Sequence, residues 1–101
     1  METMIRIIYS WRVEPEKQPL FIETWRKTTN KIHEEVKGAR GSFMLQGEED
    51  PTIIKTVARW DSLHEWKRFW HENKHLQMGI MHDLGERVSV EIFREIDDFT
   101  R

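Results

Sequence analysis

Apolar residues alternate with polar ones from Ile5 to Val13. Ile5, Ile7, Tyr9, Trp11 and Val13 hold the odd positions, Arg6, Ser10 and Arg12 the even ones, and Ile8 interrupts the pattern. A period of two predicts a first strand with one face in a core. Glu14-Pro15-Glu16-Lys17 breaks the alternation, after which Phe21, Trp25, Ile32 and Val36, joined by Thr28 and Thr29, recur at three- and four-residue spacing. That spacing predicts a helix of about five turns. Gly38, just past a Lys-bearing last turn, is placed to cap it in the left-handed conformation. Ser42 to Gln46 and the β-branched run from Thr52 to Trp60 predict two strands, and Gly47-Glu48-Glu49-Asp50-Pro51 joins them as a hairpin. Ser62 with Glu65 three residues later forms a capping box, so a second helix starts there. Leu63, Trp66, Phe69, Trp70, Leu76 and Ile80 broadly follow helical spacing, with Gly79 marking a break before Met81-His82. Arg87 to Ile96 supplies a last strand with Val88, Val90 and Ile92 on one face.

The order strand–helix–strand–strand–helix–strand is the ferredoxin-like βαββαβ arrangement of an α+β domain, here one domain over residues 1–101, with a four-stranded antiparallel sheet and two helices. Two helices cover only one face of that sheet. Yet the strands carry apolar residues on both sides: Ile5 and Ile7 against Ile8, Ile54 and Ala58 against Ile53 and Val57, Ile92 against Phe93. An uncovered apolar face marks an interface, so the expected assembly is a homodimer whose two sheets face each other. The plainer alternative is that Ile8, Ile53 and Phe93 are scattered surface apolars, which are ordinary one at a time.

Composition narrows the function. The 101 residues are 38% hydrophobic with five Trp and five Phe, so the core is built from large rings. Charged residues make up 34% of the chain but cancel to a formal −2, which gives no one-sign field to steer toward nucleic acid or an anionic membrane. The absence of cysteine removes disulfides, thiolate nucleophiles and Cys-based metal sites. The first residues lack the basic and apolar regions of a signal peptide, and a cytoplasmic location is expected.

Several segments together resemble the antibiotic biosynthesis monooxygenase family of dimeric α+β barrels, from about Ile5 to Ile96. They are Trp11-Arg12-Val13-Glu14-Pro15-Glu16-Lys17 at the exit of the first strand, Val36-Lys37-Gly38-Ala39-Arg40-Gly41-Ser42 before the second, Glu49-Asp50-Pro51 in the hairpin, and Val57-Ala58-Arg59-Trp60-Asp61-Ser62 running through a Trp into a capped helix. The resemblance implies a small aromatic, polyketide or quinol substrate. It is held in an apolar pocket between helices and sheet, where loss of a proton yields a carbanion that reduces O₂ without a cofactor. The family also holds haem-degrading enzymes and members without known activity, so fold alone does not assign the reaction.

Each candidate part carries a second reading. Trp66 and Trp70 share a helical face and could stack on a planar substrate; they could equally be core packing. His71 and His75, one turn apart, are candidate bases because an imidazole titrates near neutrality, and a solvated helix face explains them as well. Tyr9 and Ser10 in the first strand could hydrogen-bond a substrate oxygen. His71-Glu72-Asn73-Lys74-His75 spells the H-E-x-x-H zinc pattern, with His82 as a third ligand lying one position off the long form of that motif. The haem-degrading branch relies on an Asn in the first strand and on a Trp and a His ten residues apart. Here Ser10 stands in the place of the Asn and the spacing from Trp70 falls on Ile80, which leaves simple haem binding through His75 or His71 as the non-catalytic alternative.

Overall fold

A computed structural model of the chain describes residues 3–77 and 79–100, with the side chains of 73–80 excepted. The elements are β1 (Ile5–Arg12), a 3₁₀ turn at Pro15–Lys17, α1 (Gln18–Glu35), β2 (Ala39–Gln46), β3 (Ile53–Trp60), α2 (Leu63–Gln77), the short α3 (Gly79–Leu84) and β4 (Glu86–Arg94). All neighbouring strands are antiparallel and lie in the order β2-β3-β1-β4, the ferredoxin-like α+β fold that the sequence predicts. β1 is hydrogen-bonded on both edges, and its odd residues Ile5, Ile7, Tyr9, Trp11 and Val13 are all buried beneath the helices. Phe21 from α1, Trp66 and Phe69 from α2 and Met81 from α3 close the core over them.

The junctions depend on local chemistry. The amide of Glu65 donates to the Ser62 hydroxyl at 3.2 Å, one half of the capping box; the reciprocal bond is not formed among the described residues. Gly38 does take a left-handed backbone, φ 91°, but not as the cap. α1 ends at Glu35 with Val36 already extended, and Gly38 turns the chain two residues later. A side chain at Gly38 would meet Glu65 Cβ at 2.7 Å, so the turn also fixes how closely α2 approaches. Gln18 ties the start of α1 to the hairpin: its amide donates to the Val13 and Pro51 carbonyls at 3.0 and 2.7 Å.

Two β-bulges depart from the simple pattern. On β2, Arg40 and Gly41 together face one position of β3, and Gly41 accommodates the extra residue at φ 103°. On β4, Ser10 pairs with Ser89 while Trp11 pairs with Arg87, so Val88 is the extra residue. This corrects the expected face of the last strand. Val88 leaves the row formed by Val90 and Ile92, is 61% exposed, and Arg87 takes its place on the helix side.

The second face of the sheet carries Ile8, Phe43, Leu45, Ile53, Val57 and Phe93, with no helix over it among the described residues. Phe43, Leu45 and Phe93 are 46%, 52% and 48% exposed. On this face Arg6 and Arg59 stand directly opposite each other on β1 and β3. Like charges in that position repel. Glu95, following β4, sits between them: Oε1 accepts from Arg6 at 2.7 and 3.1 Å, and Oε2 from Arg59 at 3.1 and 3.2 Å. Asp98 adds a second contact to Arg6 at 3.2 Å. The hydrogen bonds from Arg6, then those from Arg59, hold the Glu95 carboxyl below its ordinary pKa against the opposing effect of its burial.

Such a depressed carboxyl contributes stability above its unfolded pKa and loses it as the pH falls through the folded value. Glu95→Gln is therefore expected to cost about 1.5–3 kcal/mol at neutral pH, the range for hydrogen bonds to charged groups. In chemical denaturation repeated at decreasing pH, the gap between variant and wild type is expected to close in the acid range.

Candidate functional site

A cavity lies between α1 and the helix-facing side of the sheet. Five aromatic side chains line it: Tyr9 and Trp11 from β1, Trp25 from α1, Trp60 from β3 and Phe69 from α2. These rings converge because residues of one parity on neighbouring strands share a face, and helical spacing turns Trp25 and Phe69 toward that face. Hydroxyls of Thr28, Thr29, Ser42 and Thr56 add polar points, and Gly41, at its bulge, leaves the β2 wall without a side chain. The free volume is about 60 Å³. An apolar cavity that holds benzene has roughly 150 Å³, so a ring entering here must displace part of the wall.

Behind Tyr9 stands a second group of aromatics. Trp66 Nε1 donates to the Tyr9 hydroxyl at 3.1 Å, a buried bond between α2 and the central strand. Trp70 stacks on Tyr9 with ring centroids 6.2 Å apart and lies 5.3 Å from Trp66. The Arg87 guanidinium sits 5.0 Å over the Trp70 ring, at cation–π distance. Burial pushes the Tyr9 phenol above its ordinary pKa, partly offset by the bond from Trp66 and the charge of Arg87. Tyr9 is thus a neutral phenol at physiological pH: it accepts from Trp66 and keeps its own O–H to donate.

The sequence-derived candidates separate in space. Tyr9 lines the cavity, and Trp66 and Trp70 support it from behind without forming its walls. Ser10 is 8% exposed but points to the opposite face of the sheet, since adjacent strand residues alternate; it cannot share a helix-side ligand with Tyr9. His71 is solvent-exposed on α2 and does not line the cavity. The side chain of His75 lies outside the described residues. Glu72 is exposed beside His71, and no cluster of His, Asp and Glu suited to a metal ion occurs among the described residues.

Two residues near the site, His33 and Arg87, were not singled out by the sequence reading, and a third, His82, stands in a setting other than the metal site considered for it. His33, near the end of α1, is exposed and stands at the cavity rim. Only its place one residue after Ile32 hinted at this. Arg87 reaches the aromatic group because the bulge at Val88 re-aims it, and strict alternation assigned it to the other face. His82 packs its ring 5.5 Å from Trp11, and burial, then the Arg87 charge, lowers its pKa, so its imidazole is neutral near pH 7.

Tyr9→Phe would leave the Trp66 indole N–H buried without an acceptor, which costs about 1–3 kcal/mol. A fall of that size in the unfolding free energy is expected by chemical denaturation. An unchanged midpoint would mean that the bond contributes nothing to stability.

The model of the antibiotic biosynthesis monooxygenase family matches residues 4–79. No curated protein is similar enough to the chain to count as a match. Among solved structures, the chain is similar to SnoaB, a cofactor-independent oxygenase from Streptomyces nogalater, with a TM-score of 0.78 at 12% identity over 98% of this chain and 99% of that one. A conserved protein of unknown function from Bacteroides thetaiotaomicron gives a TM-score of 0.78 at 18% identity over 94% and 100% of the two chains. A conserved protein from Methanosarcina mazei gives 0.73 at 15% identity over 95% and 94%. At these identities the structural likeness establishes the fold.

Proposed function

The chain belongs to the antibiotic biosynthesis monooxygenase family, and from that membership we propose that it is a cofactor-independent monooxygenase for a small aromatic, polyketide or quinol substrate, acting as a cytoplasmic homodimer. The observation that carries this reading is the aromatic cavity between α1 and the sheet, where a planar substrate meets ring faces and a few hydroxyls in place of water. SnoaB, which shares the fold, is a cofactor-independent oxygenase.

In this chemistry the substrate supplies the electrons. A base removes the proton from an acidic C–H next to a hydroxylated or carbonyl-bearing ring, and the carbanion reduces O₂. One oxygen atom is then bonded to that carbon, and the other leaves as water with the two hydrogens that the carbon has lost. The protein's share is a base, a donor for the oxyanion and the exclusion of water. Tyr9 is the donor, as a neutral phenol on the cavity wall, with Trp66 and Trp70 holding it in place. For the base, position favours His33 at the rim over His71, whose ring faces solvent. His75 stays a candidate on sequence grounds. Ser10, on the far face, has no part in binding this ligand.

Oxygen consumption with a panel of quinols and anthrone-type compounds tests this reading. Uptake above the uncatalysed rate is expected, with a fall of at least about a hundredfold in His33→Ala or in His75→Ala, the lower end of what a positioned base contributes. If no compound in the panel raises uptake, the monooxygenase reading fails.

The open face of the sheet supports the homodimer. Phe43, Leu45, Ile53 and Phe93 form an apolar surface that has no cover within the chain among its described residues, and burying such a surface drives association. No helix among the described residues is long and apolar enough to cross a membrane. Sedimentation velocity is expected to give a dimer for the wild type and a monomer for Phe43→Glu, which places an unpaired charge in the joint face. A monomeric wild type would refute this assembly.

A further inference from the structure

We propose that the cavity recognises its ligand through a neutral hydrogen-bond-accepting oxygen, a ketone or quinone carbonyl carried on a small aromatic ring, and that the donor reading it is the indole Nε1–H of Trp11. The proposal rests on the function above only in taking the same cavity as the ligand site; it does not require oxygen chemistry.

Trp11 occupies the centre of the molecule. It lies on the strand paired on both sides, is 1% exposed, and lines the cavity with its ring edge-to-face with Phe21 at 5.2 Å. Its Nε1 is buried and has no hydrogen-bond partner among the described residues. Other buried polar side chains behave differently: Trp66 donates to Tyr9, and Ser62 accepts from Glu65. A buried N–H left unmade costs about 1–3 kcal/mol, and folded proteins keep few of them. Here the cost falls on a residue that lines a cavity; Nε1 itself has almost no exposed surface, so an acceptor recovers the cost by displacing part of the wall.

The surroundings set the chemistry of that acceptor. The wall is largely apolar, with five aromatic rings, and the cation among its lining residues, Arg59, is already committed to Glu95 on the other face of the sheet. A carboxylate ligand would enter without a free counter-charge and lose its hydration, whereas a carbonyl needs a single donor. Tyr9 lines the same cavity, and its hydroxyl, which accepts from Trp66, keeps its own proton to donate as a second donor. The internal competitor is His82, whose ring lies 5.5 Å from that of Trp11 and whose neutral imidazole carries an acceptor nitrogen.

Acetophenone and ethylbenzene have nearly the same shape and differ in the carbonyl, which makes them a matched pair of probes. Each is titrated into the ¹⁵N-labelled protein while the Trp side-chain N–H signals are followed; Trp11→Phe identifies the Trp11 signal, or triple-resonance assignment of the wild type does so if the variant does not fold. The expected result is a downfield shift of the Trp11 N–H with acetophenone and none with ethylbenzene. Acetophenone is also expected to bind about tenfold tighter, the equivalent of one hydrogen bond. The proposal is overturned if acetophenone leaves the Trp11 signal in place, if both probes move it alike, or if the signal responds only to the titration of His82. Oxygen uptake plays no part in the readout, so either idea can fail while the other stands.

Discussion

The molecule depends on β1 being a central strand with an unbroken apolar row on one side. Because it pairs with β3 on one edge and β4 on the other, its backbone groups are satisfied within the sheet, and its side chains are held at a fixed spacing beneath both helices. Each buried ring removes roughly 150–250 Å² from water. Tyr9 and Trp11 line the cavity and contribute packing area together with a buried hydroxyl and a buried indole N–H. The same two residues thus belong both to the centre of the fold and to the lining of the cavity, and Phe21, Phe69 and Met81 are arranged around them.

The other side of β1 follows a different rule. There the row contains Arg6, Ile8, Ser10 and Arg12, and the cross-strand pair of Arg6 with Arg59 would be repulsive without Glu95. A residue beyond the last strand thus neutralises a conflict built into the first and third. Beyond this cluster the face is mixed: Phe43, Val57 and Ile8 form an apolar row that ends at Glu91, while Lys55, Ser10, Ser89 and Arg12 lie farther along it. The two faces of one sheet differ in kind: the helix side borders a small, largely apolar cavity, and the open side leaves Phe43, Leu45 and Phe93 exposed.

The sequence revealed the architecture because period-two and helical spacing are strong signals when the apolar residues are large, as in Ile5 to Val13 or Phe21 to Val36. Ser62 and Glu65 correctly located the start of α2 for the same reason: a cap is a local interaction between near neighbours. Assignments that depend on three-dimensional placement fared less well. Ser10 and Tyr9 are adjacent in the chain but on opposite faces, and His71, prominent in an H-E-x-x-H pattern, is simply on the solvent side of its helix. Arg87 escaped notice because a bulge is invisible to a pattern of alternation. His33 joins the cavity only through the packing angle of α1, which no short-range spacing encodes. The orphaned indole of Trp11 is likewise a property of what its neighbours fail to offer, and no count of residues reveals it.

The bulge at Val88 has a bearing on how the chain tolerates changes in length. In an ordinary strand, losing one residue slides the register and turns every later side chain to the wrong face. At this point β4 already holds two residues against one, so removing Val88 would bring Arg87 and Ser89 into consecutive positions opposite Trp11 and Ser10 with both sides of the ladder facing as before. The strand thus contains a slack residue next to the aromatic group. A deletion can be absorbed there, as at the Arg40-Gly41 bulge of β2, whereas the same change at an unbulged position of the sheet would invert its hydrophobic pattern.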